Sequence, residues 1–291
     1  DVCSSDLGCC EQYSRSKRLK ITAMHKLEVT PKQHDKEMGM DCPFIEPNVT
    51  DDCLISENGK VIGFYIRDVG KYDDKQTTLL NIANKEFRSK RVPKQHLDRI
   101  QAIEAANKAG IPLSKYRQME GGVSQYSTIL GAVPKNPRLR RMFNGYSSVH
   151  SYEEAKTFVK AMMGASIIGM TLIKKLAPEL HEQQLEAVKG VNDRWTFGKH
   201  FTSSISNYNI SAPFHRDTRN IVNSLNIIYT KRANSEGGCL HVPEYNATFE
   251  QPDNSMLVYP AWKNMHGVTP IKEHANGGYR NSLIFYSLKA F

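Results

Sequence analysis

The chain has 291 residues, 40% hydrophobic and 24% charged, with 39 Lys and Arg against 30 Asp and Glu. This length accommodates one large or two small domains with a sizeable core, and the composition is that of an ordinary globular protein. No apolar run reaches the roughly 18 residues of a membrane span, and a net charge of +9 favours a polyanionic partner, nucleic acid first.

Residues 1–20 are expected to be a disordered start, because the opening DVCSSDL is similar to translated adapter sequence at the ends of metagenomic reading frames. The six cysteines (Cys3, Cys9, Cys10, Cys42, Cys53, Cys239) form no paired C-x-x-C. No apolar leader accompanies them, so a reducing cytoplasm is expected.

Residues 21–150 are expected to form an N-terminal α/β extension. Within it, CLISENGKVIGFYIRDV alternates about Asn58-Gly59, the signature of a type I′ hairpin. Pro93 to Ala109 reads as a helix with Leu97, Ile100 and Ile103 on one side, Gly110 as its stop and Pro112 beyond. A Gly- and Pro-rich stretch then turns basic at Lys135, Arg138, Arg140 and Arg141. These four are candidates for phosphate contacts, or equally for a solvated charged turn.

Residues 151–291 are expected to hold helices and a β core. Ser151-x-x-Glu154 predicts a capping box at the head of a helical region that runs to about Lys189 and breaks before Pro178. From Trp195 the texture changes. TFGKHFTSSISNYNI, SLNIIYTK, CLHVPEYNATF, SMLVYPAW and YRNSLIFYSLKAF are β-branched or aromatic runs separated by turn residues. Short strands at such spacing predict a barrel or jelly roll buttressed by helices, an α+β architecture. Gly237-Gly238, with no helix behind it, reads as a tight turn between two of these strands.

The tripeptide His215-Arg216-Asp217 raises two chemistries. A protein kinase requires an Asn five residues after the Asp, and Val222 stands there; the Gly-rich loop, the strand lysine and D-F-G are also missing. The kinase is excluded. A mononuclear iron site instead requires two imidazoles and one carboxylate on one face of the metal. Residues two apart on a strand point the same way, so His215 and Asp217 can converge, with Arg216 incidental between them. His266 supplies a distal imidazole, and Arg280, fourteen residues on, a planar fork for a carboxylate. Spacing alone leaves open that His215 is a core residue and that Arg280 pairs with a surface acid.

The wording around these residues narrows the choice. HRDTRN, LHVPEYNATF and HGVTPIKEHANGGYRNSLIFYSLK resemble the TET/JBP family, Fe(II)- and 2-oxoglutarate-dependent dioxygenases acting on the 5-methyl group of pyrimidines in DNA. The resemblance covers about Ser204 to Lys289. It implies a double-stranded β-helix core, Fe(II) with 2-oxoglutarate and O2 as cosubstrates, and His215, Asp217 and His266 as metal ligands. It further implies that Arg280, Ser282 and His241 bind the cosubstrate, that Asn220 reads the target base and that Tyr286 packs on it. Each has a plainer alternative: Asn220 as a turn residue, Tyr286 as core, Ser282 as a solvent-facing strand residue. Relatives that act on 5-methylcytosine can place a His where this chain has Leu288, which leaves thymine as an alternative target. The expected enzyme is a bacteriophage-like, monomeric, cytoplasmic DNA hydroxylase without a membrane segment. A hydroxylase of another substrate and a non-catalytic DNA-binding module are the competing readings.

Overall fold

The computed structural model describes residues 24–97, 99–116, 125–137, 140–273 and 277–291, so the expected start over 1–20 and Arg138 lie outside the described residues. Strands β1 (His25–Val29), β2 (Cys53–Glu57) and β3 (Lys60–Ile66) lead into helix α1 (Asp74–Arg88). Next come β4 (Gln95–His96), α2 (Arg99–Lys108), the single turn α3 (Leu113–Tyr116), β5 (Tyr126–Val133) and β6 (Gly145–Tyr146). Helices α4 (Lys156–Leu176) and α5 (Pro178–Val188) precede β7 (Ser203–Tyr208), β8 (Ala212–His215), β9 (Asn226–Ala233) and β10 (Ser235–Gly237). The chain closes with β11 (Leu240–Val242), β12 (Ala247–Phe249), β13 (Met256–Tyr259), β14 (His266–Val268), β15 (Ile271–Glu273) and β16 (Tyr279–Tyr286).

Nine strands order as β1-β2-β3-β13-β9-β16-β7-β5-β4, and β6 on β5 completes a ten-stranded sheet that is antiparallel apart from the β1–β2 pair. Strands from before residue 150 therefore share one sheet with strands from after it. A four-stranded sheet, β12-β11-β14-β8, covers part of one face, and β10 pairs with β15 in a ribbon.

The layers follow from strand parity. On β9, Ile227 and Tyr229 face the helices, while Ile228 faces the small sheet. Against the first face pack Leu80, Ala83 and Phe87 of α1 and Phe158, Met162, Ala165 and Ile173 of α4, spaced three, four or eight apart as a helix stripe requires. Against the second pack Leu240, Val242 and Phe249, which together with Tyr65 and Leu257 close a second core between the sheets. The molecule is thus a mixed α/β structure with helices on one face of a large sheet and a small sheet on the other. Among the described residues one helix, over Glu153–Leu176, is long and apolar enough to cross a membrane, and half of its most apolar stretch is buried inside the protein.

Local chemistry explains where elements begin and end. Asn58 (φ 52°) and Gly59 (φ 77°) both take the left-handed conformation, as a type I′ turn between β2 and β3 demands. Helix α1, absent from the sequence reading, is capped by Asp73, whose carboxylate accepts from Gln76 N at 3.1 Å, a cap worth about 1 kcal/mol.

Two expectations need correction. The helix anticipated from Pro93 begins only at Arg99, because Gln95 and His96 pair with Tyr126 and Ser127 of β5, leaving Leu97 half exposed. The capping box at Ser151 does not form. The chain enters α4 through two 3-10 turns, closed by bonds from Tyr152 N to Val149 O and from Ala155 N to Tyr152 O, so Ser151 ends the first turn instead of standing at a helix N-cap.

Candidate active site

A pocket of about 440 Å³ opens between the two sheets. Antiparallel pairing sets His266 of β14 directly opposite His215 of β8, and their rings lie 4.2 Å apart. β8 ends at His215, so Asp217 converges from the extended turn beyond the strand, not from strand alternation as expected; its backbone N–H is tied to Ala261 O at 3.1 Å. One donor atom from each of the three residues falls within 4.8 Å of the others.

Hydrogen bonds leave the correct atoms free. His215 Nδ1–H donates to Pro213 O (2.7 Å) and His266 Nδ1–H to Asn264 O (3.2 Å), which turns both Nε2 lone pairs inward. Asp217 Oδ2 accepts from Asn226 Nδ2 at 3.0 Å and Asn220 Nδ2 at 3.3 Å, leaving Oδ1 for the site, 3.7 Å from His215 Nε2. Burial, and then the neighbouring His215, push His266 down to about 4, so at neutral pH it is the uncharged imidazole that a metal requires.

Arg216, expected to be incidental, has a part. Its guanidinium donates to Glu244 Oε1 at 2.9 Å, and the same oxygen accepts from Met265 N at 2.9 Å, which ties the His215 segment to the His266 segment.

Parity also builds the inner end of the pocket. Arg280, Ser282, Ile284 and Tyr286 alternate along β16 and all line it, while Leu283 and Phe285 face the helices. Arg280 is buried and sits cross-strand from Arg232. Arg232 is satisfied by Gly237 O (3.0 Å), Gln251 O (3.1 Å) and Ser235. Arg280 is not: its Nε has no partner, and among the described residues no carboxylate pairs with it. Burial, with Arg232 next, lowers Arg280 to about 10, which still leaves it a cation at neutral pH. An unpaired buried cation beside a second one calls for an anionic ligand. The turn anticipated at Gly237-Gly238 makes room for it, since a Cβ on Gly238 (φ 67°) would fall 2.4 Å from Arg280 Cδ.

The other predicted residues divide. Ser282 faces the pocket and its Oγ accepts weakly from Asn207 Nδ2 at 3.5 Å. Asn220 lines it too, but commits its amide donors to Asp217 and to Asn226 Oδ1 (2.9 Å), so it offers a ligand only its carbonyl. His241 is a correction. Leu240, its neighbour on β11, takes the pocket side, and His241 points through the opposite face of the small sheet, bonded to Thr248 Oγ1 at 2.8 Å and edge-on to Phe214.

A larger cleft of about 1640 Å³ joins the pocket, sharing Thr218, Arg219, Tyr286 and Leu288 with it. Lys135 and Arg141 line this cleft, Arg140 lies on the same loop without lining it, and Arg138 is outside the described residues. Sequence reasoning missed the remaining cations, Arg194, Arg219 and Lys289, and the aromatic Trp195. It also missed Asn226, which carries no motif of its own. No Asp or Glu is among the described residues that line it.

Three convergent donors of the facial-triad kind and an unpaired arginine suit Fe(II) and the far carboxylate of 2-oxoglutarate, the pair that defines the 2-oxoglutarate/Fe(II) oxygenases. Comparison with known proteins agrees. The Tet_JBP family model, described as the oxygenase domain of the 2OGFeDO superfamily, matches residues 131–289, more than half of the chain. No curated protein sequence matches. Among solved structures, NgTET1 in complex with 5mC DNA aligns over 92% of this chain and 84% of its own at 12% identity, with a TM-score of 0.52. A 2OG-Fe(II) oxygenase family oxidoreductase from Burkholderia pseudomallei covers 72% of this chain and 81% of its own at 10% identity and a TM-score of 0.39. OsALKBH1 covers 77% and 96% at 12% identity and 0.37. At such identity the likeness to NgTET1 concerns the fold alone. The protein described here belongs to the Tet/JBP family, whose members are 2-oxoglutarate- and Fe(II)-dependent oxygenases.

Proposed function

We propose that this protein hydroxylates the 5-methyl group of 5-methylcytosine in DNA, giving 5-hydroxymethylcytosine and further oxidised bases. The observation that carries this reading is the cationic cleft, with no Asp or Glu among its described lining residues, that opens onto the metal pocket through Thr218, Arg219, Tyr286 and Leu288. A phosphate backbone fits the cleft, and a single flipped or unpaired base fits the 440 Å³ pocket. The likeness in fold to NgTET1, bound in that structure to 5mC DNA, supports the same choice. The two facing sheets are read as the double-stranded β-helix of this superfamily, and the enzyme as a cytoplasmic monomer.

In this reading His215, Asp217 and His266 hold Fe(II), and Arg280 with Ser282 grips the distal carboxylate of 2-oxoglutarate. When bound, the metal couples oxidative decarboxylation of 2-oxoglutarate to succinate and CO2 with transfer of the other oxygen atom of O2 to the methyl carbon. The chain's own residues do the rest. Asn220 and Asn226 fix the Asp217 carboxylate. Ile228, Leu240 and Val268 keep the pocket apolar. Tyr286, whose phenol burial and then Asp217 hold protonated, lies between pocket and cleft as a surface for the base. Leu288 stands where cytosine-specific relatives can place a His, so thymine is tested alongside.

The test is nucleoside mass spectrometry after incubation with Fe(II), 2-oxoglutarate and duplexes carrying 5-methylcytosine or only thymine. 5-Hydroxymethylcytosine is expected, and His215→Ala is expected to abolish it while DNA binding persists. Oxidised thymine alone would move the substrate to thymine. No oxidised base from either duplex would reject a DNA methylpyrimidine substrate.

A further inference from the structure

Phe143 is 82% exposed and Met142 beside it 62% exposed, on the connection between β5 and β6. Large apolar side chains held this far into solvent mark a surface that something else covers. The backbone beneath them is braced. Asn136 and Arg141 exchange main-chain hydrogen bonds at 2.7 and 3.0 Å, and the Arg141 guanidinium donates to Pro134 O at 2.9 Å. Asn144, next to Phe143, accepts from Lys135 N at 2.9 Å and donates to Ala290 O at 2.9 Å, which fastens the connection to the other wall of the cleft. A firm support under two exposed apolar tips suits insertion better than a loose loop would.

The surroundings name the occupant. Met142 and Phe143 line the same cleft as Lys135, Arg141, Arg194, Arg219 and Lys289, with no carboxylate among the described lining residues. A partner charged outside and apolar inside, with a flat aromatic interior the width of a Phe ring, is a nucleic-acid duplex. Lifting one base out of a duplex leaves a gap in the stack, and apolar side chains are the groups that fill such gaps.

We infer that Phe143, supported by Met142, is a wedge that enters the base stack beside the target nucleotide and holds it extrahelical. The inference rests on the DNA reading above, and its test separates the two. A duplex carries 2-aminopurine next to 5-methylcytosine, and its fluorescence is read on binding of the metal-free protein. Turnover is then measured on duplex and single-stranded forms of the same sequence.

Wild-type protein is expected to brighten the probe severalfold, and Phe143→Ala to lose most of that gain. The ratio of duplex to single-strand turnover is expected to fall roughly tenfold in Phe143→Ala and to recover in Phe143→Leu. Equal brightening and an unchanged ratio in Phe143→Ala would overturn the wedge, even with the enzyme fully active. Phe143-dependent brightening without any oxidised nucleoside would leave the wedge standing and reject the proposed reaction. Phe143 is exposed, so its replacement leaves the core packing as it is, which an unchanged Tm verifies.

Discussion

Asn226 is buried at the head of β9 and makes the shorter of the two bonds to Asp217 Oδ2, 3.0 Å against 3.3 Å from Asn220. Asn226→Ala leaves the carboxylate free to rotate on one long hydrogen bond. Fe(II) affinity is therefore expected to fall about 10- to 100-fold, the usual effect of losing a partner behind a metal ligand. Metal titration of the stripped protein reads it, and unchanged affinity would mean that Asn220 suffices. Residues with a fixed motif spacing, His215, Asp217, His266 and Arg280, could be picked out of the sequence because their types are rare and their chemistry demands company. Asn226 could not, since an Asn at a strand start serves many purposes. His241 was misassigned for a related reason. Which of two adjacent residues on β11 faces the pocket depends on register, and only the pairing of Leu240 with Val268 fixes it.

Among the elements, the turn between β10 and β11 bears most directly on the cosubstrate site proposed at Arg280. Gly238→Ala forces a Cβ onto Arg280 Cδ and holds an L-residue at φ 67°. The left-handed backbone costs about 1–2 kcal/mol, seen as a lowered Tm. Displacement of Arg280 is expected to weaken 2-oxoglutarate binding about tenfold in calorimetry; an unchanged affinity would show that Arg280 relaxes without loss. The hairpin at Asn58-Gly59 and the strands after Trp195 were legible because turn residues and alternation agree there. Helix α1 was not, for its polar sequence shows its stripe of Leu80, Ala83 and Phe87 only once the sheet is there to receive it. Edge pairing with β5 likewise took Gln95 and His96 out of the expected helix, a tertiary contact that local propensity does not contain.

At the scale of the whole molecule, charge is concentrated more sharply than the net +9 suggests. The cations of the cleft come from separate stretches of chain, the β5–β6 connection, the segment before β7, the turn after Asp217 and the end of the sequence. The excess of Lys and Arg was visible in the composition, but their assembly on one surface required the fold. If all five contact phosphates, log K for duplex DNA should fall with log[salt] with a slope of roughly −4 to −5. Fluorescence anisotropy across a KCl series measures this, and a slope near zero would remove the cleft as the DNA site.

Position 288 links that surface to the metal pocket in a particular way. Leu288 is held by its own main chain: Asn220 bridges to it and its N–H donates to Thr202 Oγ1, while beside it Ile221 N bonds Ser287 O and Lys289 N bonds Arg219 O. Its side chain can therefore change without loosening Asn220 or the carboxylate that Asn220 steadies. If position 288 reads the base as proposed, one substitution there exchanges one base preference for another while the hydrogen bonds that hold Asp217 stay in place.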